Sequence, residues 1–399
     1  MSRLKVRFLV AVVLLFGAYP AFATNVEVGT CKSGLTSFPT ISAAVAAVPP
    51  GSTVEVCPGT YAEQVTITKS LRLVGVISGN SSRAVIAVPP SGLTVVTDSM
   101  GLSIAAMVSV TAGNVQIAGI TVDGSGNTVD VTGGNTYLVG IYYANGSEGS
   151  VEESTARQMV TGTNVGVGIM AENESGVEES VIITKNSIHD FDGWGILVYS
   201  DQTSGPYVDI VGNTILANTN YAPVGIFWSG GNGDKISGNV ITSTYGLGRD
   251  ISLGNAFSSS GHSVTISDNT LTHFGLALDM TMLVPVPPST VIVQSNRISD
   301  STSLGIGILI DPGNVLTLRD NTIMDVGTGI FSNCASFSAS MSNNIVNDAG
   351  VGVNNPPMPF ISGVNFDNVD TVVTTGGCVA PLTKGVPGRK TNRPEMDVP

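Results

Sequence analysis

Seven short segments along the middle of the chain share one arrangement of positions, apolar-x-x-Asn-x-apolar. They run Ile183-Thr-Lys-Asn186-Ser-Ile188, Ile210 to Ile215 around Asn213, Ile236 to Ile241 around Asn239, and Ile266 to Leu271 around Asn269. The remaining three are centred on Asn296, Asn321 and Asn344, and the asparagines are spaced by 27, 26, 30, 27, 25 and 23 residues. Between them recurs a second apolar unit that opens with glycine: Gly195-Ile-Leu-Val, Gly225-Ile-Phe-Trp, Gly275-Leu-Ala-Leu, Gly307-Ile-Leu-Ile and Gly329-Ile-Phe-Ser. Each period predicts about three short strands separated by Gly, Asn, Asp and Ser turns, and helical periodicity is absent. One such coil cannot bury its own apolar positions. Coils stacked at the usual strand spacing of ~4.8 Å can, with Ile and Val lining a common interior. Asparagine tolerates left-handed backbone and its amide reaches the coil above or below, so the seven predict an internal amide ladder.

The repeat continues upstream in looser form. Ile117-Ala-Gly-Ile120-Thr-Val122 fits with Ile120 in the asparagine slot, Gly140 and Gly168 extend the glycine column, and Ser150-Val-Glu-Glu-Ser154 recurs 26 residues later as Gly176-Val-Glu-Glu-Ser180. Before it, Ile41, Ala44, Val45 and Val48 fall on one helical face, stopped by Pro49-Pro50-Gly51. The run Val54-Glu-Val-Cys-Pro-Gly-Thr-Tyr61, then Val65-Thr-Ile-Thr-Lys-Ser-Leu-Arg-Leu-Val-Gly75, follows. This helix, this run and the Asn and Gly units together resemble the right-handed parallel β-helix repeat proteins of the pectate-lyase-like superfamily, over about residues 36 to 355. The resemblance implies an all-β chain: a single right-handed parallel β-helix of about 10–11 coils with an N-terminal capping α-helix. It also implies a groove along one exterior sheet. It does not imply one activity, because lyases, hydrolases, esterases, epimerases and binding proteins share this body.

The ends and the charge narrow the setting. Arg3, Lys5 and Arg7, an apolar run from Phe8 to Ala18 and the small-residue site Ala21-Phe22-Ala23 read as a signal peptide over 1–23, and hence a secreted or periplasmic protein with no membrane contact after cleavage. The expected layout is then 24–50 N-terminal segment and capping helix, 51–380 β-helix and 381–399 disordered tail. Cleavage removes three of the 17 basic residues and none of the 30 acidic ones, leaving a net charge of −16. Nucleic acid is a poor partner for such a chain. The expected partner is polysaccharide, either neutral or anionic through a bridging cation. Four cysteines in an exported chain allow three pairings, and Cys31–Cys57 with Cys334–Cys378 would staple the two ends.

Candidate chemistry concentrates on the Gly-Ile-x-Val column. Ile196, Val198, Leu276, Leu278, Ile308 and Ile310 should point inward, and Leu197, Phe227, Ala277, Leu309 and Phe331 outward. Asp279 and Asp311 follow the glycine units of two coils and read as stacked carboxylates, a pair suited to glycosidic cleavage, to Ca2+ or simply to capping turns. His189, Asp192 and Trp194 cluster before Gly195 and offer a base, a carboxylate and a sugar-stacking ring. Trp194, Phe274 and Tyr199 are the substrate-contact candidates, Arg249 is a rare base near this face, and Trp228 reads as core. Asp190, His273, Asp300, Asp325 and Asp348, each four residues past an asparagine, read as a structural column. Glu152-Glu153 and Glu178-Glu179 would stack like charges, so Glu153 and Glu179 are candidate Ca2+ ligands. Three readings stay open: a protein that binds or processes extracellular polysaccharide along the exterior groove, as a hydrolase or lyase if it is an enzyme; a non-catalytic surface or matrix scaffold or adhesin; and a calcium-stabilised scaffold.

Overall fold

The computed structural model describes residues 22–77, 83–98, 101–131, 136–144, 146–173, 180–200, 207–229, 231–244, 248–254, 262–273, 275–282, 289–300, 305–310, 315–332, 338–354 and 363–374. Residues 1–21 of the expected signal peptide, the tail, Cys334, Cys378, Asp311, Phe274 and Glu179 lie outside this set. Among the described residues no helix is long and apolar enough to cross a membrane.

The chain is nearly all β, and its strands stack in parallel from one coil to the next. One 13-stranded sheet takes a single strand from each coil, and a 22-stranded sheet takes the other two. In the coil carrying Asn239, for example, Asn232–Ser237 belongs to the first sheet, while Val240–Ser243 and Arg249–Gly254 belong to the second. Each coil is named below by its asparagine.

The asparagines pile up as the repeat predicts. The Nδ2 of Asn186 donates to the Oδ1 of Asn213 at 3.0 Å, and the same bond recurs at 2.9–3.0 Å from Asn213 to Asn239, Asn269, Asn296, Asn321 and Asn344. Each Oδ1 also accepts the main-chain N–H of the preceding asparagine, and each Nδ2 donates a second time to a carbonyl such as Ile183 or Ile210. Every amide is therefore used on both sides, which is what its burial requires. Ser154 occupies the slot one coil earlier: its N–H donates to Asn186 Oδ1, and its Oγ accepts from the N–H of Ile120.

Ile and Val at alternate strand positions fill a single apolar core that runs from Val26 to Val364. The first sheet reaches further back than the expected boundary at residue 51. Asn25–Val28 pairs in register with Ser52–Val56, and Thr36–Phe38 adds beside it. The helix Ile41–Ala47 starts at an N-cap, Thr40, whose Oγ1 accepts from Ala43 N–H, and buries Ile41, Ala44 and Val45 in that same core. Cys31 and Cys57 are disulfide-bonded, joining the segment after Asn25–Val28 to the strand it pairs with.

Two sequence alignments are corrected by the register. Glu152 pairs with Thr184, so Glu153 stands over Lys185 rather than Glu179, and the two side chains meet at 3.9 Å. Both bends are left-handed, φ 48° and 55°, which aligns them. The like-charge stack is thus replaced by an exposed ion pair, and an ammonium neighbour argues against a cation site at Glu153. The second correction concerns the glycines: Leu278, not Leu276, pairs with Ile308. Gly275 therefore aligns with Gly305, and Ala277 with Gly307.

Candidate functional site

The register shift rearranges the outer face of the Gly-Ile-x-Val strands. One outward column reads Met170, Leu197, Phe227, Ser252, Asp279, Leu309 and Phe331. A second, three residues before it, reads Val167, Trp194, Val224, Arg249, Leu276, Ile306 and Thr328. Leu276 thus belongs outward and Ala277 inward, the reverse of the expectation, and Ala277 joins the core. Asp279 has Leu309 beside it, so the expected stacked carboxylate pair with Asp311 is not in register.

In the early coils these columns are apolar and buried. Tyr137, Tyr142, Val167, Met170, Trp194, Leu197, Val224 and Phe227 form a second cluster, separate from the bore, partly covered by Leu102, Val131 and Ala144. Trp194 is 4% exposed and packs on Tyr137 with ring centroids 5.9 Å apart. The ring expected to stack on a sugar is therefore occupied by protein. Tyr199 is also buried, and Trp228 is core, as its inward position requires.

Chemistry enters where the columns reach the Asn239 and Asn269 coils. Arg249 Nε lies 2.6 Å from Asp279 Oδ2, with Ser252 beside the carboxylate in the same column. The Asp279 side chain is 1% exposed, and that of Arg249 is 22% exposed. A desolvated carboxylate is tolerated only with such a partner. The guanidinium is the accessible member of the pair on this outward face, and the buried carboxylate fixes its orientation, so that its remaining donors suit a hydroxyl-rich ligand.

The bore beneath this pair is polar too, and the sequence did not single it out. The inner corner column carries Met159, Phe191 and Ala217, then Val326 and Ala349 further on, all core residues. In the three coils between stand Ser243, His273 and Asp300. Ser243 pairs with Ala217, and His273 with Asp300; Ser243 and His273 lie one step beyond the Thr242–Thr272 pair. The expected structural column therefore splits. Asp190, Asp325 and Asp348 adopt left-handed backbone at φ 57°, 55° and 49°, whereas His273 and Asp300 do not, and both turn inward. Asp250 faces the same bore from the glycine column. Burial raises its carboxyl well above the ordinary range, with Asp300 adding to the effect. Burial likewise lowers the His273 imidazole, against the opposing pull of Asp300 and the Ser299 backbone.

The other candidates are placed elsewhere. Asp192 is buried and accepts from Thr161 N–H (2.7 Å), Thr161 Oγ1 (2.9 Å), Gly162 N–H (2.6 Å) and Gly166 N–H (2.7 Å). A carboxylate has about four acceptor sites. With all of them engaged, Asp192 anchors the preceding loop in place of the catalytic role expected of it. His189 contacts Asp190 through Nδ1 at 2.7 Å. Burial would raise the Asp190 carboxyl, but hydrogen bonds from Asn218, His189 and Gln158 together hold it below its usual range. His189 sits on the neighbouring strand face, three coils from Asp279 and so about 14 Å along the stack. The structure does not bring the two together.

A further buried acid lies where Asn232–Ser237 begins. Asp234 accepts from Trp228 Nε1 at 2.7 Å and Val208 N–H at 3.1 Å, and Trp228 meets His262 edge-on at 6.0 Å. Burial pushes the Asp234 carboxyl up to about 7, the two hydrogen bonds opposing and Asp209 adding to the rise. Because the folded value lies above the unfolded 3.8, the associated stability is complete below pH ~4 and is lost as pH rises toward ~7, about 4 kcal/mol in all. A plot of melting temperature against pH should therefore fall across that window. Asp234→Asn should flatten the fall; an unchanged slope would refute the assignment.

Comparison with known proteins agrees with this architecture. A family model described as a right-handed beta helix region matches residues 194–356. No curated protein sequence matches the chain. Among solved structures, a lacto-N-biosidase from Eubacterium ramulus superposes with a TM-score of 0.59 at 10% identity, covering 88% of this chain and 68% of that one. A DFA-IIIase from Arthrobacter chlorophenolicus A6 gives 0.51 at 13% identity, covering 82% and 77%. A pectin methylesterase from Erwinia chrysanthemi gives 0.40 at 13% identity, covering 66% and 82%. At these identities the likeness is one of fold.

Proposed function

We propose that this chain, whose parallel coils match a right-handed beta helix model over residues 194–356, is an exported protein that binds polysaccharide on the outer sheet face around Arg249 and Asp279. One observation carries the proposal: a column that is apolar in the flanking coils changes to Ser252 and Asp279, ion-paired to Arg249, within two adjacent coils. A fold that needed only a covered apolar seam would gain more from another leucine there, since a buried ion pair returns little net stability. Two enzymes sharing the fold, a lacto-N-biosidase and a DFA-IIIase, point the same way for substrate class. Export is supported by the basic, apolar and small-residue order of residues 1–23 and by the Cys31–Cys57 disulfide. The helix Ile41–Ala47 would close the first coil.

Arg249 would donate to sugar hydroxyls, with the buried Asp279 carboxylate holding its guanidinium in place. Cleavage would need a second carboxylate at working distance from Asp279. A second reading, a rigid non-catalytic surface scaffold, is favoured by the burial of Trp194, Leu197 and Phe227 beneath protein.

The test is a panel of neutral and acidic polysaccharides, read by affinity electrophoresis for binding and by mass spectrometry for products. The wild type should be retarded by at least one member. Asp279→Ala should weaken that retardation at least tenfold, about 1.4 kcal/mol, and the Arg249→Ala/Asp279→Ala double variant, which leaves no unpaired buried charge, should do the same. Full retention of binding in the double variant would remove the site, and no retardation by any polysaccharide would favour the scaffold.

A further inference from the structure

The polar corner of the bore does work that the outer face does not require. In the glycine column most coils have no room for a side chain. A Cβ on Gly195 would come within 2.6 Å of the Gly225 carbonyl oxygen, and one on Gly225 within 2.6 Å of the Asp250 carbonyl oxygen and of Ile241 Cγ2. The Asn239 coil nevertheless places a carboxyl there. Asp250 is 0% exposed, and among the described residues neither of its oxygens has a hydrogen-bond partner; the Ser243 Oγ, also buried, has none there either.

The groups facing this carboxyl come from each element packed against it. The preceding coil offers Gly225, which has no side chain. Its own coil offers Ile241 and Ser243. The next coil offers Ala277 and His273, and the one after offers Asp300. Arg249, although adjacent in sequence, belongs to the outer face and is paired with Asp279. Among the described residues no fixed cation faces Asp250, and Asp300 adds like-charge repulsion. An anion there would be desolvated, unpaired and repelled.

We infer that this corner is a proton-operated lock: Asp250 sits in the bore as the uncharged acid, and losing its proton releases the strand Arg249–Gly254. The lock stands on the bore alone and does not depend on the polysaccharide reading. Below the transition the strand is seated between Val224–Ser229 and Leu276–Met282 and holds Arg249 against Asp279. Above it, the carboxylate gains access to water only by local opening of this strand, while the asparagine ladder keeps the rest of the coil in place. One proton is released per opening, so the open fraction rises about tenfold per pH unit until the acid titrates.

Two measurements on the full-length chain test this. Isotope-edited infrared difference spectra at pH 7, wild type minus Asp250→Asn, should show a protonated-carboxyl stretch over and above that of Asp234, which both proteins share. Hydrogen exchange, corrected for the intrinsic rate, should show residues 249–254 opening more as pH rises from 6 to 8 in the wild type but not in Asp250→Asn, with Asn232–Ser237 behaving alike in both. Asp250→Ala, which copies Ala277 of the next coil, should lose the pH response too and stands in if the asparagine variant does not fold. A difference spectrum without a protonated band, or variants that keep the wild-type pH dependence over 249–254, would overturn the inference.

Discussion

Asn239→Ala will destabilise the solenoid by on the order of 4 kcal/mol, measured by chemical denaturation at constant pH. The side chain is fully buried and satisfies four partners: it donates to the Ile210 carbonyl and Asn269 Oδ1, and accepts from the N–H and Nδ2 of Asn213. Alanine leaves those groups in the bore without replacements, and each unsatisfied buried group costs about 1–3 kcal/mol. Water entering the gap would recover part of this, which keeps the expected loss below the full sum. Asn239→Asp is the informative companion. It keeps the shape but loses both donors and adds charge beside Asn269 Oδ1, so it should be at least as damaging. A loss below about 1 kcal/mol for alanine would mean that the ladder does not bind the coils together.

Asp192→Ala should be nearly as severe, by about 3–5 kcal/mol, for a different reason. Its carboxylate collects three backbone N–H groups and one hydroxyl from residues 161–166, the connection between Thr155–Met159 and Gly166–Asn173. Hydrogen bonds to a charged acceptor contribute more than neutral ones, about 1.5–3 kcal/mol. Removing the acceptor should raise amide exchange at Thr161, Gly162 and Gly166 by orders of magnitude, while the asparagine ladder retains its protection. If exchange there is unaffected and any polysaccharide turnover disappears, Asp192 is a chemical group after all.

Much of this architecture is legible in the amino-acid order, and what is not has a physical cause. The ladder is legible because Asn186 to Asn344 must all do the same job, so one residue type recurs at nearly one spacing. The inward Ile and Val positions follow from strand alternation. The slot even persists where the residue changes, at Ser154 and Ile120. Register on the outer face is harder, because Gly305-Ile-Gly307 offers two glycines to one column and the connections between strands vary in length. Choosing Gly307 as the partner of Gly275 moved Asp279 two residues out of place and created a carboxylate pair that the backbone does not make. Glu152-Glu153 misled in a similar way: the repeated Val-Glu-Glu-Ser string suggested a stack, whereas Ser154, in the asparagine slot, sets the register and puts Glu153 over Lys185.

The polar bore was missed because His273 and Asp300 share a sequence position with Asp190, Asp325 and Asp348. That residue bulges outward in left-handed geometry at the three aspartates and turns in at His273 and Asp300. Phe191, Val326 and Ala349 follow the three left-handed aspartates and fill the corner themselves. Thr244 and Ser301 stand at that place in two of the polar coils. The missing apolar residue marks Ser243 and Asp300 but not His273, which Phe274 follows, so that signal is incomplete.

A hydrogen-exchange footprint of the bound complex tests the central claim most directly, using whichever oligosaccharide the panel selects. Protection should fall on 249–254 and 276–280, with the asparagine rungs and the helix Ile41–Ala47 unchanged. Protection confined to any other face of the solenoid would contradict the assignment of Arg249 and Asp279 as the polysaccharide site.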